Sequence, residues 1–256
     1  MAEYKEIKGY TIQVTDTDPV VYAGSWSTGN SLNTARYAAT GMGTQTDALA
    51  AGGHTTANLA VVENYNGTSW TEVNDFNEAK RELASAGTDT ASIVFGGIAP
   101  GGATANTESW NGSNWTEVNN LNTARYQLGG CGTSTAALAY SGVPAPPALN
   151  ETESWNGTSW TEVNNVNTAR GFGGALGINT AALLIGGDTY DPSPNRIANV
   201  EQWNGTSWTE ISDINTIRSA GAGSGTTTDG LYFGGQTPAP ARAGNTEAWN
   251  GSAWTE

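Results

Sequence analysis

Lysine, histidine, cysteine and long apolar runs are all scarce in this 256-residue chain, and each scarcity removes a class of protein. No apolar stretch reaches the roughly 20 residues of a membrane-spanning helix, so membrane insertion is not expected. The opening residues "MAEYKEIKGYTIQ" lack the apolar core of a secretory signal peptide. One cysteine, Cys131, excludes an internal disulfide. One histidine, His54, excludes a metal centre built from several imidazoles, and any Ser-His-Asp or Cys-His pairing would depend on it alone. No metal or cofactor is expected. Lysine occurs only as Lys5, Lys8 and Lys80, no Lys/Arg run exists, and the net charge is −14. Nucleic acid and anionic membrane surfaces attract basic patches, so neither is an expected partner. With 13% charged residues the chain is also poor in the material of surface helices.

What is abundant is glycine, 34 residues of it, with much Thr, Asn and Ala, which suits short strands joined by tight turns. A phrase also recurs. "WNGSNWTEVNNLNTAR" (110–125) returns 45 residues later as "WNGTSWTEVNNVNTAR" (155–170). Its second tryptophan anchors a series, Trp70, Trp115, Trp160, Trp208 and Trp254, with a cousin at Trp26, at spacings of 44, 45, 45, 48 and 46 residues. Ten residues after the first five of these stand Arg36, Lys80, Arg125, Arg170 and Arg218, and 17 residues further on Gly53, Gly97, Gly142, Gly187 and Gly235. Five residues before each tryptophan from Trp70 onward is another aromatic, Tyr65, Trp110, Trp155, Trp203 and Trp249. Periods of this length with Gly and Trp marks read as propeller blades.

Each unit divides into four strand-like pieces. The first is made of small residues ("YQLGGCG"), as backbones converging on an axis require. Cys131 falls at a position held elsewhere by Met42, Ala86, Leu176 and Ser224, which reads as filler rather than nucleophile. The second piece is apolar and ends at glycine ("ALLIGG"); the third runs to the first aromatic ("NTESW") and the fourth starts at the second ("WTEV"). Asn-Gly between the last two is a hairpin signal. The expected fold is all-β, a five-bladed β-propeller of four-stranded antiparallel blades at about 31–74, 75–119, 120–164, 165–212 and 213–256. Such a ring would give every blade an identical neighbour.

Residues 1–30 form an N-terminal extension that either closes the ring or attaches it elsewhere. "YTIQVTDT" alternates like a strand, and "VYAGSW" imitates the aromatic-turn-Trp hairpin with one residue fewer. Trp26 and Trp254 therefore compete for the outer strand of the last blade. The preferred expectation is a fifth blade complete in itself.

The order Arg, seventeen residues to Gly-Gly, an aromatic, then Trp resembles the kelch repeat over about 31–256, although kelch propellers usually have six or seven blades. The spelling "WNGTSWTEV…LNTAR" after the head "EYKEIKG…TDTDPV" also resembles kelch-type structural proteins of marine bacteriophages. That resemblance implies a virion or tail-associated protein, found in particles or outside the cell after release. Its partners would be other virion proteins and a host-surface glycan or receptor. The kelch-like copper oxidase of fungi needs several histidine ligands, which this chain does not have.

All length variation between the repeat landmarks lies in the loops joining second and third strands, where the gap from closing glycine to first aromatic is 12, 13, 13, 16 and 14 residues. A rigid ring that varies at one set of loops reads as a binding scaffold. The candidate binding residues are Asp188, Tyr190, Asp191, Asn195 and Arg196 in the longest loop, with His54 and Arg242 in two others. Neutral drift of tolerant loops is the bland alternative. Arg36, Arg125, Arg170 and Arg218 read as structural, with Glu63, Glu108, Glu153, Glu201 and Glu247 as their natural partners; a ligand-facing arginine ring is the other reading. The tryptophan pairs read as packing rather than sugar platforms, and "NG[ST]" as hairpin turns rather than glycosylation acceptors. No catalytic residue stands out. The repeated carboxylates favour no single blade, and Asp188 or Asp191 would be the best unrepeated acid for a glycan-acting enzyme. The leading expectation is a non-enzymatic adsorption module of a virion or tail; the alternative is a stand-alone, multivalent lectin.

Overall fold

The computed structural model describes residues 26–145, 147–190, 195–238 and 241–256, and these contain strands but no helix. Blade 1 is built from β1 (Thr40–Gly43), β2 (Ala48–Ala51), β3 (Val62–Tyr65) and β4 (Trp70–Val73). Blade 2 has β5 (Ala84–Gly87), β6 (Ser92–Phe95), β9 (Thr107–Trp110) and β10 (Trp115–Val118), with a small hairpin of β7 (Ile98–Ala99) and β8 (Gly102–Ala103) in its loop. Blade 3 has β11 (Gly129–Thr133), β12 (Ala136–Tyr140), β13 (Thr152–Trp155) and β14 (Trp160–Val163). Blade 4 has β15 (Gly174–Ile178), β16 (Ala181–Ile185), β17 (Val200–Trp203) and β18 (Trp208–Ile211). Blade 5 has β19 (Ala222–Gly225), β20 (Gly230–Phe233), β21 (Thr246–Trp249) and β22 (Trp254–Thr255). Every blade is an antiparallel meander, and the whole is a five-bladed β-propeller.

Sequence explains each layer of a blade. The inner strands are small because neighbours crowd them: a Cβ on Gly129 would lie 2.3 Å from the Tyr140 ring, and one on Gly174 would lie 2.4 Å from Tyr232. The outer hairpin is a four-residue loop, since Trp155 faces Trp160 directly in the register. Asn156 opens it, its Oδ1 accepting the N–H groups of Thr158 and Ser159 at 2.9 Å each. Gly157 follows with φ 91°. Asn-Gly thus acts as an Asx-type cap on the first half of a longer loop, not as a two-residue turn.

The tryptophans fill the space between blades. Among the described residues four hydrophobic clusters form, and each joins consecutive blades. Phe95 of blade 2 meets Trp160 of blade 3 at 4.8 Å between ring centres, and Tyr140 of blade 3 meets Trp208 of blade 4 at 4.9 Å. The indole nitrogens are used as well: Trp160 Nε1 donates to Thr107 Oγ1 and Trp208 Nε1 to Thr152 Oγ1, both at 3.1 Å and both across a blade boundary. Each such side chain contributes about 1.5–3 kcal/mol by leaving water.

The lead-in to each blade, in turn "LNTAR", "FNEAK", "LNTAR", "VNTAR" and "INTIR", is clamped by that blade's own third strand. Glu201 accepts the backbone N–H of Asn167 at 2.6 Å and of Thr168 at 3.1 Å, and pairs with Arg170 at 2.6 Å. Glu63 with Arg36, Glu108 with Lys80, Glu153 with Arg125 and Glu247 with Arg218 repeat the device. These side chains therefore join a lead-in to its own blade. The link to the preceding blade runs through the same residue's carbonyl, as in Gly97 N–H to Arg125 O at 2.9 Å and Gly142 N–H to Arg170 O at 2.9 Å.

Identical repeats suggest identical interfaces, but only four follow the pattern. Inner strands β1 and β5, β5 and β11, β11 and β15, and β15 and β19 pack together, whereas β19 and β1 do not pack in this way. Trp254 completes blade 5 by pairing with Trp249, and Trp26 lies beyond it, at the boundary with blade 1. The extension of residues 1–25 lies outside the described residues.

Candidate functional site

The loops joining second and third strands rise on one face, and each begins by pairing with the residue after the lead-in base. The bridges are Tyr37 with His54, Arg81 with Ile98, Tyr126 with Val143, Gly171 with Asp188, and Ser219 with Gln236. Within three of the loops the chain folds back in a further bridge: His54 with Asn58, Asp188 with Arg196, and Gln236 with Arg242. The variable loops are thus fastened at their roots to the invariant frame.

One residue further along come Ala38, Glu82, Gln127, Phe172 and Ala220, all with φ between 54° and 56°. This left-handed backbone is uncommon for such residues and is held by a relay of hydrogen bonds. Glu82 N–H donates to Ala38 O, Gln127 N–H to Glu82 O, Phe172 N–H to Gln127 O and Ala220 N–H to Phe172 O, at 2.8–3.0 Å. The relay lies where the inner strands begin, and its side chains line the mouth of the propeller.

Above it runs a second, side-chain relay. Tyr190 Oη donates to Gln127 Oε1 at 2.5 Å, and Gln127 Nε2 to Glu82 Oε2 at 2.6 Å. Glu82 Oε1 lies 3.6 Å from Arg81 Nε, and Arg81 donates to Asn58 Oδ1 at 2.7 Å. Polar groups of blades 4, 3, 2 and 1 are linked in this order. Burial and the neighbouring Asp188 carboxylate push the Tyr190 hydroxyl up to about 12, so it remains a donor well above neutral pH.

Between blades 1 and 2 the mouth opens into a cavity of about 470 Å³, lined by His54, Asn58, Arg81, Ile98 and Pro100 among others. His54 Nδ1 is buried there with no hydrogen-bond partner among the described residues, and its ring lies 5.2 Å from that of the exposed Tyr37. Exposed aromatic surface, an amide, a guanidinium and an imidazole on a rigid frame can grip a polyhydroxylated or peptide-like ligand by stacking and hydrogen bonds.

The loop residues singled out by sequence are placed as follows. Arg196 is tied to blade 5 through Ser219 Oγ at 3.1 Å, Gln236 Oε1 at 3.1 Å and the Thr237 carbonyl. Asp188 is buried and caps the Tyr190 N–H at 3.0 Å. The Asn195 carbonyl accepts the Thr189 N–H at 3.1 Å. Arg242 is exposed on its own loop in blade 5, and Asp191 lies outside the described residues. Tyr190 and His54 reach the mouth; Arg196 and Asp188 hold the longest loop in place. Length variation did not reveal Arg81, Glu82, Gln127 and Asn58. A different signal marks the first three, since the two positions after each repeated base read Tyr-Ala, Arg-Glu, Tyr-Gln, Gly-Phe and Ser-Ala, unlike in every blade.

The opposite reading of the tryptophans and arginines, as ligand-facing rings, finds no surface in blades 2 to 5 among the described residues. Trp110, Trp155, Trp203 and Trp249 are buried between blades, as are the Arg125, Arg170 and Arg218 side chains. Burial pulls Arg125 and Arg170 below the usual arginine value, with the facing glutamates opposing it. Cys131 is buried in β11, and burial pushes its thiol up to about 12, which removes its nucleophilic form at neutral pH. Among the described residues no group of three or more His, Cys, Asp and Glu side chains could hold a metal ion. No protein-family model and no curated protein matches this chain.

Proposed function

We propose that the protein is a non-enzymatic recognition module that holds a partner at the mouth of the loop face. The observation that carries this reading is the relay from Tyr190 through Gln127 and Glu82 to Arg81, beside the His54 cavity. It sets half-exposed donors and acceptors on backbone that the frame holds rigidly. A scaffold of this kind suits adsorption to a surface. The resemblance of its repeats to bacteriophage structural proteins supports a virion or tail-associated role, with a bacterial surface glycan as partner. Because no two blades carry the same pair of mouth residues, the site does not repeat around the ring, which favours one binding locus over a multivalent lectin.

The test is adsorption of the labelled full chain to bacterial cells, with and without enzymatic removal of surface polysaccharide. Saturable binding that disappears with the polysaccharide supports the reading. Binding indifferent to its removal, on every strain that binds, would overturn the glycan assignment.

A further inference from the structure

The chain carries 24 acidic residues and a net charge of −14, yet no acidic side chain among the described residues lines the cavity between blades 1 and 2. Residues of the loops at 54–58 and 98–102 form its walls, and Arg81 links them. Basic groups are rarer in the molecule, and most are already committed. Arg36, Lys80, Arg125, Arg170 and Arg218 are each paired with a glutamate of their own blade. Arg196 is tied to blade 5, and Arg242 is exposed on the loop of that blade. Among the described residues Arg81 is the basic one that reaches this cavity.

The frame aims its guanidinium. The Arg81 N–H donates to the Ile98 carbonyl at 3.1 Å and the Arg81 carbonyl accepts the Ile98 N–H at 2.8 Å, which fixes the backbone. Nη1 donates to Asn58 Oδ1 at 2.7 Å, and Asn58 is held in turn by donating through Nδ2 to the Ile98 carbonyl at 2.8 Å. Nε lies 3.6 Å from Glu82 Oε1, and the other oxygen of Glu82 is engaged by Gln127. Arginine offers a planar fork of several N–H donors, so these contacts leave donors to spare. The Glu82 contact is long and partly exposed, and a pair of that kind adds little to stability. It orients the guanidinium without consuming it.

Next to the guanidinium stands the His54 imidazole and, 5.2 Å from it, the ring of Tyr37, which is 62% exposed. An exposed aromatic face beside polar donors suits the C–H face of a sugar ring, and a planar fork suits a carboxylate. We propose, on the reading of the mouth as a glycan-binding site, that this cavity takes a carboxylate-bearing sugar of an acidic polysaccharide, with the carboxylate on Arg81 and the sugar ring against Tyr37. An acidic peptide side chain would offer the carboxylate without the ring that Tyr37 receives.

The decisive experiment alters the ligand rather than the protein, so no variant need fold. Polysaccharide is released from a strain that adsorbs the full chain, and in a matched sample its carboxyl groups are reduced to alcohols. Binding of the untagged full chain to each is followed by NMR through the ring signal of His54, which is unique because the chain has one histidine. The native polymer should shift that signal saturably, and the reduced polymer should bind at least about tenfold more weakly. The net charge of −14 repels a polyanion, so removing the polymer's charge would strengthen binding if no local cation received it. Arg81→Gln should weaken binding of the native polymer at least about tenfold and leave that of the reduced polymer unchanged. Equal or tighter binding of the reduced polymer overturns the proposal and leaves the glycan reading standing. So does a native polymer that binds without moving the His54 signal. Adsorption to cells that survives removal of polysaccharide but not protease treatment overturns both, and would give the cavity to an acidic protein.

Discussion

Two adjacent rows of residues circle this propeller and have opposite characters. In one row Arg36, Lys80, Arg125, Arg170 and Arg218 all point inward to a glutamate of their own blade. In the next, one residue along, Tyr37, Arg81, Tyr126, Gly171 and Ser219 share a backbone bridge but no common side-chain partner. The first row is uniform because every blade must solve one problem: a buried lead-in whose N–H groups and cation need a carboxylate. The second is diverse because the frame uses only its backbone in common, which frees side chains such as Arg81 for the mouth. Uniformity here marks packing, and diversity on a rigid base marks recognition.

The largest expected effect separates the rows by stability. Arg125→Ala or Arg170→Ala strands a buried glutamate and should cost about 3–5 kcal/mol in chemical denaturation. Arg81→Ala removes a partly exposed pair and should cost about 1 kcal/mol or less. Equal losses in the two rows would remove the distinction. Trp160→Ala should cost about 3–5 kcal/mol by opening a void between blades 2 and 3, read as a lowered denaturation midpoint.

A subtler effect lies in pH. Burial raises the Tyr190 hydroxyl above its ordinary value of 10 to about 12, so the folded state holds this proton more tightly than the unfolded chain does. Its contribution is complete below pH 10 and fades as pH rises through 12. Tyr190→Phe should therefore flatten the stability profile between these limits, seen as a smaller loss of denaturation midpoint from pH 9.5 to 11.5 than in the wild type. The smallest effect is a null one. Cys131, on the packing side of the comparison, should not react with a maleimide at pH 7 until the protein is unfolded, as mass spectrometry would show.

Much of the architecture is legible because each blade meets its successor in the same way, so packing writes itself as a 45-residue period. The tryptophans, the small inner residues and the closing glycines all carry a spacing that only stacked hairpins explain. The site is less legible. Loop length draws attention to 188–196, yet the direction of a side chain cannot be read from length: Arg196 turns to blade 5 and Tyr190 to the mouth. Arg81, Glu82 and Gln127 sit inside segments of constant length, where only a comparison of residue identity between blades exposes them. The seam is half legible. Trp26 and Trp254 compete in the sequence for one outer position, but equal repeats imply equal boundaries, and only the packing of the inner strands and the contacts of Trp26 show that the boundary between blades 5 and 1 differs.

The claim that the mouth is the recognition surface is tested most directly by one array experiment. The full chain would be applied to bacterial surface glycans beside a Glu82→Ala/Gln127→Ala variant and a variant changed at Thr135, in the turn that joins β11 to β12 at the end of β12 away from its variable loop. The account predicts that the Thr135 variant binds like wild type and that the mouth variant binds at least about tenfold more weakly, the loss of one or more hydrogen bonds to the ligand. Equal binding by all three, or a loss confined to the Thr135 variant, would contradict it.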